Sequence, residues 1–233
     1  MTQYFQKKNT SNHAIDSCVL DFEVAVWYSL RCSFPDIELH GCLFHFSQAI
    51  HRKVQEFGLQ THYRKKGDIT NIIKMVFSLP FLPHHQITSE FEAIKAKALV
   101  HHNVGLHSLF AYVEKTWMNS NVWKVKNLSA YQRLVRTNND TEGYHFRLNK
   151  KLGVHPPFYQ LVELLYKEAK YVDITCKLVS SRSVLLQRRK KSTQLQERIC
   201  KLWDDFDERR ITASELLLEA VYFSKYFQKK GKK

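Results

Sequence analysis

The sequence predicts a short α/β beginning followed by a mostly helical body. Near the N-terminus, two short apolar runs are each followed by residues at helical spacing, which is typical of parallel strands joined by helices. From residue 68 onward, apolar residues recur at helical spacing in almost every segment. Only seven glycines and five prolines occur in 233 residues, too few for the tight turns of an all-β protein. We therefore expect helix in more than half of the residues, against about one third in typical globular proteins.

Two strands and two helices alternate at the start of the chain. In each strand apolar and polar residues partly alternate, and in each helix the apolar residues share one face. Gly58 follows the second helix and is expected to be its C-cap. The four elements are expected at residues 14–20, 22–32, 37–42 and 43–57.

The body is predicted to be a series of helices separated by turns that contain proline or glycine. After Pro157 there is no proline, and no glycine until Gly231, so residues 158 to about 227 are expected to be almost entirely helical. The preceding helices are expected at residues 68–77, 87–101, 106–117 and 141–152.

These elements predict one principal domain with a helical insertion. Residues 1–13 show no periodicity and are expected to form a disordered leader. The principal domain is expected over residues 14–170, with the insertion at about 60–135. Residues 171–233 are expected to form a helical, basic C-terminal extension.

The composition excludes several classes of protein. A hydrophobic content of 44% is too high for a disordered chain. No apolar run approaches the roughly 20 residues of a membrane span, and the polar N-terminus lacks the apolar stretch of a signal peptide. Five widely spaced cysteines do not form the framework of a secreted disulfide protein, which favours the interior of a cell. The net charge of +14 favours a polyanionic partner such as nucleic acid, and no membrane partner is expected.

Asp21 stands where the first strand ends and a helix begins. Ligands of open α/β sheets gather outside the carboxyl ends of strands, so this carboxylate is a candidate ligand for a substrate or metal. The alternative is a helix cap, in which the Asp21 side chain accepts hydrogen bonds from backbone N–H groups.

A second candidate carboxylate, Glu142, lies in the segment Arg136-Thr-Asn-Asn-Asp-Thr-Glu-Gly-Tyr-His145. Glu142 and His145 are three residues apart and share one face of the predicted helix. The alternative is a capping box, with Asn139 as the N-cap and Glu142 three positions later.

Cys42 and His45 have the short spacing used by metal ligands. A structural zinc site needs four ligands, and no second pair of the same kind follows in the sequence, so zinc is not expected. The alternative is a buried cysteine beside a histidine at the edge of the core.

Two blocks stand in the order and at the separation found in one family. The first is Gly41-Cys-Leu-Phe-His-Phe-Ser-Gln-Ala-Ile-His-Arg52, and the second is the segment around Glu142. With Asp21-Phe-Glu23 before them and Trp117 between them, they resemble the Mutator-like element (MULE) transposase domain. The resemblance runs from about Asp21 to about Glu168.

The resemblance implies an RNase H-like fold that carries a catalytic Asp-Asp-Glu triad. Asp21 matches the second aspartate and Glu142 the glutamate, both ligands of Mg²⁺ or Mn²⁺ in the family. Cys42 and His45 match the family's Cys-x2-His motif, and the last acidic motif also contains Asn139 and His145. Two ions held by such carboxylates activate the attacking oxygen and stabilise the leaving oxygen during cleavage or transfer of a DNA strand.

The chain departs from the family at the first aspartate. That residue is expected on an earlier strand, and Asp16 is the sole carboxylate before Asp21. Five residues separate the two, and an odd separation points them to opposite faces of a strand. We therefore interpret the chain as the C-terminal part of a transposase with a truncated RNase H-like fold, and we expect no bound metal in it.

Three functions follow from these observations. The first is a transposase-derived protein without catalytic activity that retains DNA binding, in the nucleus or otherwise in the cytoplasm. The second is an active MULE transposase of which this sequence is an incomplete gene prediction. The third is a helical protein-interaction module without a role on DNA.

Two groups of basic residues are candidates for contact with DNA phosphates. One group flanks the Glu142 segment, and the other lies on the predicted long helix. The second group also matches a nuclear address, and a solvated helix face is the alternative for both. The candidates are Arg136, Arg147, Lys150, Lys151, Arg188, Arg189, Lys190 and Lys191.

Overall fold

The computed structural model describes residues 4–6, 16–65, 67–153, 155–180 and 190–224. Helices make up 72% of these residues, so the expected predominance of helix is confirmed. The described chain divides into two units, which are treated separately below. The first contains residues up to Asn138 together with those from Gln196 onward, and the second contains Asn139–Leu195.

The first unit begins with a small sheet. Two of its strands are parallel, with Ser17 opposite Glu38 and Leu20 opposite Gly41, which confirms the expected pair. A third strand pairs antiparallel to the first of them and lies within the expected leader. Three residues are too few to show an alternating pattern, so this strand could not be predicted from the sequence. In chain order the strands are β1 (Tyr4–Gln6), β2 (Ser17–Leu20) and β3 (Glu38–Gly41).

Helix α1 (Val24–Ser33) joins the parallel strands and covers them. Its buried side chains Val26, Trp27 and Leu30 form one core with Cys18, Leu20 and Leu39 of the strands. Adjacent positions of β2 are buried, as expected for a strand that is covered on both faces.

Helix α2 (Leu43–Glu56) begins immediately after β3. Its buried residues recur every three or four positions and form a single apolar face. The helix ends as the sequence predicts, because Gly58 adopts a φ of +70° that other residues rarely tolerate. The Gly58 N–H donates to the carbonyl oxygen of Gln55.

After α2, the first unit continues up to Leu128 as a series of helices around a second group of buried apolar side chains. Phe77, Phe81 and Phe91 are fully buried in it, and Phe91 packs against Phe110. The helices are α3 (Gln60–Arg64), α4 (Asp68–Ser78), a 3₁₀ turn (Leu79–Phe81), α5 (His84–Leu99), α6 (Val104–Val113), a π turn (Glu114–Met118) and α7 (Val125–Leu128).

The second unit contains two helices, α8 (Asn139–Leu152) and α9 (Phe158–Ser180). Gly153, with a φ of +71°, follows α8 where the sequence predicts a turn. Lys151 of α8 pairs with Glu168 of α9 at 2.5 Å.

Two further helices follow, α10 (Lys190–Asp207) and α11 (Ala213–Ser224). From Gln196 onward they pack within the first unit: α11 contacts α4, and Trp203 Nε1 of α10 donates to the carbonyl oxygen of Phe81. The described part of the segment expected to be almost entirely helical is helical except between Asp207 and Ala213, where neither glycine nor proline occurs. No helix among the described residues is long and apolar enough to cross a membrane.

Candidate functional site

Asp21 lies at the carboxyl end of β2, and its side chain does not cap α1. The N-cap of that helix is Glu23, which makes no side-chain capping bond. The carboxylate oxygen Oδ1 of Asp21 instead accepts a hydrogen bond from Asn138 Nδ2 at 2.5 Å and lies 2.9 Å from His45 Nδ1. The backbone oxygen of Asp21 accepts a hydrogen bond from Trp27 Nε1 at 2.6 Å, which fixes the segment after β2.

The parallel register brings Cys42 beside Asp21. Leu20 lies opposite Gly41, and the Cys42 N–H donates to the Leu20 carbonyl oxygen at 2.7 Å. Both residues therefore occupy the same edge of the sheet, one step beyond their strands. His45 lies in the first turn of α2, three residues after Cys42, where helical geometry returns its side chain to the same side.

Asn138 completes a hydrogen-bonded cluster that we call the edge cluster: Asp21, Cys42, His45 and Asn138. Cys42 is fully buried, and its Sγ donates to Asn138 Oδ1 at 3.1 Å. Asn138 is also fully buried and donates to Asp21. A single asparagine therefore joins both strand ends.

Hydrogen bonds with Asp21 and, to a smaller extent, with Cys42 raise the pKa of His45 to about 10 against the opposing effect of burial. At neutral pH the imidazole ring is therefore protonated in this metal-free cluster. The side chains of His45 and Asp21 are 24% and 40% exposed, so the ion pair they form is accessible from solvent.

A cleft of about 380 Å³ opens beside the edge cluster. Asp21 and His45 contribute to its wall, together with the exposed guanidinium of Arg52. Aromatic rings form another part of the wall, where Phe22 meets Trp117 edge-on with ring centroids 4.6 Å apart. The cleft therefore combines acidic, cationic and aromatic groups.

The edge cluster offers three ligand atoms of different kinds. One carboxylate oxygen of Asp21, the sulfur of Cys42 and a ring nitrogen of His45 all lie within 4.8 Å of one another. Mg²⁺ prefers oxygen ligands in octahedral geometry, so these residues of the first unit do not fit the ion implied by the resemblance. Glu142, the other carboxylate of the resemblance, belongs to the second unit.

The other residues of the predicted acidic motif lie on α8. Asn139 is its first residue, while Glu142 and His145 follow within its first two turns. The sequence singled out Asn139, whereas the neighbouring Asn138 makes the contacts in the edge cluster. Two adjacent asparagines were the available signal, and only the fold distinguishes them.

Arg136 differs from the exposed phosphate contact that the sequence suggested. The side chain is buried, and its guanidinium donates to the carbonyl oxygen of Arg133 and to Gln196 Oε1, each at 2.6 Å. It also lies over the ring of Trp203, and burial lowers its pKa to about 10. Arg136 therefore holds α10 in place within the first unit.

The remaining basic candidates fall into three groups. Arg147 and Lys150 are exposed on α8, while Lys151 forms an ion pair with Glu168. Lys190 and Lys191 begin α10, and their side chains lie outside the described residues. Arg188 and Arg189 lie outside the described residues altogether.

Comparisons with known proteins identify no relative: no family model matches the chain, and no curated protein or solved structure matches it significantly.

Proposed function

We propose that this protein is a transposase-derived nucleic-acid-binding protein, related to MULE transposases, that does not cleave DNA by itself. One observation carries the proposal: the residues that resemble the family meet in a single hydrogen-bonded cluster. Asp21, the Cys42–His45 pair and the Arg136–His145 segment were matched separately along the sequence, and members of all three contribute to it.

The separation of these residues gives the observation its weight. Asn138 is 117 residues from Asp21 and 96 from Cys42, so local sequence patterns do not bring them together. The strand, helix and parallel strand that present Asp21 and Cys42 are also compatible with part of an RNase H-like sheet. The RNase H-like fold is part of the proposal.

The charge of the protein supports nucleic acid as the ligand. The net charge is +14, and phosphate contacts by lysine and arginine supply most non-specific affinity for DNA. Arg147 and Lys150 are exposed on α8, and the cleft beside the edge cluster presents Arg52 with aromatic rings. Aromatic rings and cations together are common in sites for single-stranded nucleic acid.

The absence of cleavage follows from the surroundings of Asp21. Its carboxylate oxygen is engaged by Asn138 and His45, with a thiol next to it. Two-metal cleavage needs carboxylates that are arranged around hard cations. The described residues of the first unit do not provide that arrangement at Asp21.

Salt-dependent binding tests the proposal. A fluorescently labelled duplex of random sequence is titrated with the full chain at increasing NaCl concentration, and anisotropy gives the affinity. We expect the logarithm of the affinity to fall linearly with the logarithm of salt concentration, with a slope of about −0.9 for each phosphate contact. The double variant Arg147→Ala, Lys150→Ala should flatten this slope by about one to two units.

The matched control removes the same charge from another exposed surface, in the double variant Lys97→Ala, Lys115→Ala. Its slope should stay close to that of the unmodified protein. Absence of binding at low salt would contradict the proposed function. Equal slopes for both double variants would show that Arg147 and Lys150 of α8 do not contact DNA.

A protein-interaction module is the second candidate, because α9 exposes many apolar side chains. Phe158 and Tyr159 are 71% and 83% exposed, and Tyr166 is 60% exposed. If α9 binds protein, Phe158→Ser with Tyr166→Ser should abolish concentration-dependent association in sedimentation velocity and leave DNA affinity unchanged. A chain that stays monomeric at all concentrations without these substitutions would argue against self-association through α9.

A further inference from the structure

We propose that Asp21, Cys42 and His45 bind one divalent transition-metal ion of the zinc type. The inference goes beyond nucleic-acid binding and does not depend on it. One carboxylate oxygen of Asp21, the sulfur of Cys42 and one ring nitrogen of His45 lie within 4.8 Å of one another, and Asp21 Oδ1 is 2.9 Å from His45 Nδ1. Ligand atoms of tetrahedral zinc lie about 3.2–3.8 Å apart, given bonds of about 2.0–2.3 Å, so small side-chain rotations would suffice.

The backbone fixes the three ligands independently. Asp21 and Cys42 each follow one of two hydrogen-bonded parallel strands, and the Cys42 N–H extends their ladder to Leu20. His45 is held by the first turn of α2. Ligands on strand ends and a helix terminus, rather than on a long loop, are positioned before any ion arrives.

The kinds of ligand select the metal. A thiolate and an imidazole favour zinc, cobalt and similar ions, and a carboxylate is also a common zinc ligand. The sequence argued against zinc because Cys42 and His45 stood as a lone pair, and the fold now adds Asp21. Magnesium, which prefers six oxygen ligands, is disfavoured by the sulfur and nitrogen.

Three protein ligands leave one position of a tetrahedral ion open. Asp21 and His45 also line the cleft of about 380 Å³, so water or a small anionic group can reach that position. Sites with three protein ligands and one exchangeable ligand are typical of reactive zinc, whereas structural zinc sites are closed by four. The open position is therefore predicted to accept an exogenous anion.

Asn138 positions two of the three ligands before an ion binds. It accepts a hydrogen bond from Cys42 and donates one to Asp21, and it is fully buried. Metal binding releases the thiol proton of Cys42 and the Nδ1 proton of His45 to solvent, because the ligands are the thiolate and the neutral imidazole nitrogen. The hydrogen bond from Cys42 to Asn138 is then lost, and Asn138 keeps its bond to Asp21. Groups in this position commonly set ligand geometry, and their loss costs about tenfold to hundredfold in metal affinity.

The competing explanation is a cluster held only by its own hydrogen bonds. His45 pairs with Asp21, and Cys42 pairs with Asn138, so each of these side chains has a partner without an ion. Because these bonds already connect the strand ends, we expect the protein to fold without metal. Zinc should then bind to a folded chain, which distinguishes it from a metal that induces folding.

The test uses the full chain, freed of metal with a chelator and checked for helix content by circular dichroism. Zinc chloride alone is added, with affinity measured by competition against a chromophoric chelator and stoichiometry by mass spectrometry of the metal. We expect one zinc per chain and an affinity tighter than micromolar. Cobalt in place of zinc should give a sulfur-to-cobalt charge-transfer band, which reports thiolate ligation directly.

Three ligand variants and one thiol control locate the ion. Asp21→Asn, Cys42→Ser and His45→Gln should each weaken zinc binding by more than about tenfold, as even the loss of a supporting residue does. Cys32→Ser, which removes an exposed thiol on α1, should leave both affinity and the cobalt band unchanged. The cobalt band of the unmodified chain tests for thiolate ligation even where a ligand variant fails to fold.

Two outcomes would overturn the inference. One is a folded chain that binds no zinc, or binds it without a cobalt–thiolate band. The other is zinc binding that survives in Cys42→Ser and disappears when His101 and His102 are both replaced by glutamine, which would place the ion at that histidine pair. DNA plays no part in these measurements, so their failure is independent of the failure of nucleic-acid binding.

Discussion

His40 is the residue whose surroundings most clearly tie stability to pH. It is buried on β3, and neither ring nitrogen has a hydrogen-bond partner among the described residues. Burial lowers the pKa of His40 to about 3, and the positive charges of Arg133 and Lys126 contribute in the same direction. Glu38 Oε2, 3.4 Å from Nε2, is the facing negative charge, and it is too exposed to offset the burial.

The sign of the effect follows from linkage. Between pH 6.5 and about 3, the unfolded chain binds a proton at His40 that the folded chain excludes. The free energy of unfolding should therefore fall as pH falls through this range, by up to about 1.4 kcal/mol per pH unit from this group. In His40→Gln, urea denaturation over the same range should show a shallower dependence on pH.

The exposed His107 provides the control, because His107→Gln changes the same atoms without burial. Its pH dependence should match that of the unmodified protein. A His40→Gln protein with an undiminished slope would show that His40 takes up its proton in the folded state.

At the residue scale, the sequence predicts where a residue stands in its strand or helix better than it predicts which distant residues it contacts. Asp21 and Cys42 were identifiable as strand-end residues, because the apolar runs before them are regular. Asn138 and Arg136 were not, because their roles depend on partners far away in sequence. An arginine in a polar segment is normally exposed, and only the packing of Trp203 and Gln196 around Arg136 reverses that expectation.

At the element scale, the break between α10 and α11 results from a capping box. The Thr212 N–H donates to Glu215 Oε2 at 2.7 Å, and the Glu215 N–H donates to Thr212 Oγ1 at 3.3 Å. The backbone N–H and the hydroxyl of Thr212 both donate to the Glu215 carboxylate and lower its pKa. Arg209, at a φ of +59°, reverses the chain before the cap. Thr212 and Glu215 stand at the spacing of this motif in the sequence, so attention to caps as well as to glycine and proline would have predicted the break.

Removal of the cap should destabilise the protein measurably. Thr212→Ala leaves the Glu215 N–H without its partner and should lower the free energy of unfolding by about 1 kcal/mol in urea denaturation. Thr212→Ser keeps the hydroxyl and should behave like the unmodified protein. Equal stabilities for the alanine and serine variants would mean that packing of α11 against α4, rather than the cap, fixes the start of the helix.

At the scale of the whole molecule, the proposed lack of DNA cleavage can be tested with plasmid DNA. Supercoiled plasmid incubated with the protein and Mg²⁺ or Mn²⁺ should show no nicking above a matched preparation of Asp21→Asn. The reason is the occupied carboxylate of Asp21 and the mixed ligand atoms around it. Nicking by the unmodified protein that is lost in both Asp21→Asn and Glu142→Gln would contradict this prediction.

The sequence separation of the edge cluster has a consequence for the order of folding. Closing a chain of 117 residues between Asp21 and Asn138 is entropically unfavourable until the intervening helices have shortened it. Helices α5 and α6 pack mainly against elements close to them in sequence and should form earlier, around buried residues such as Phe91. The cluster then belongs to the last events of folding, so its contacts are absent from the transition state. Anything that stabilises it, a bound ion included, should slow unfolding while leaving the rate of folding almost unchanged.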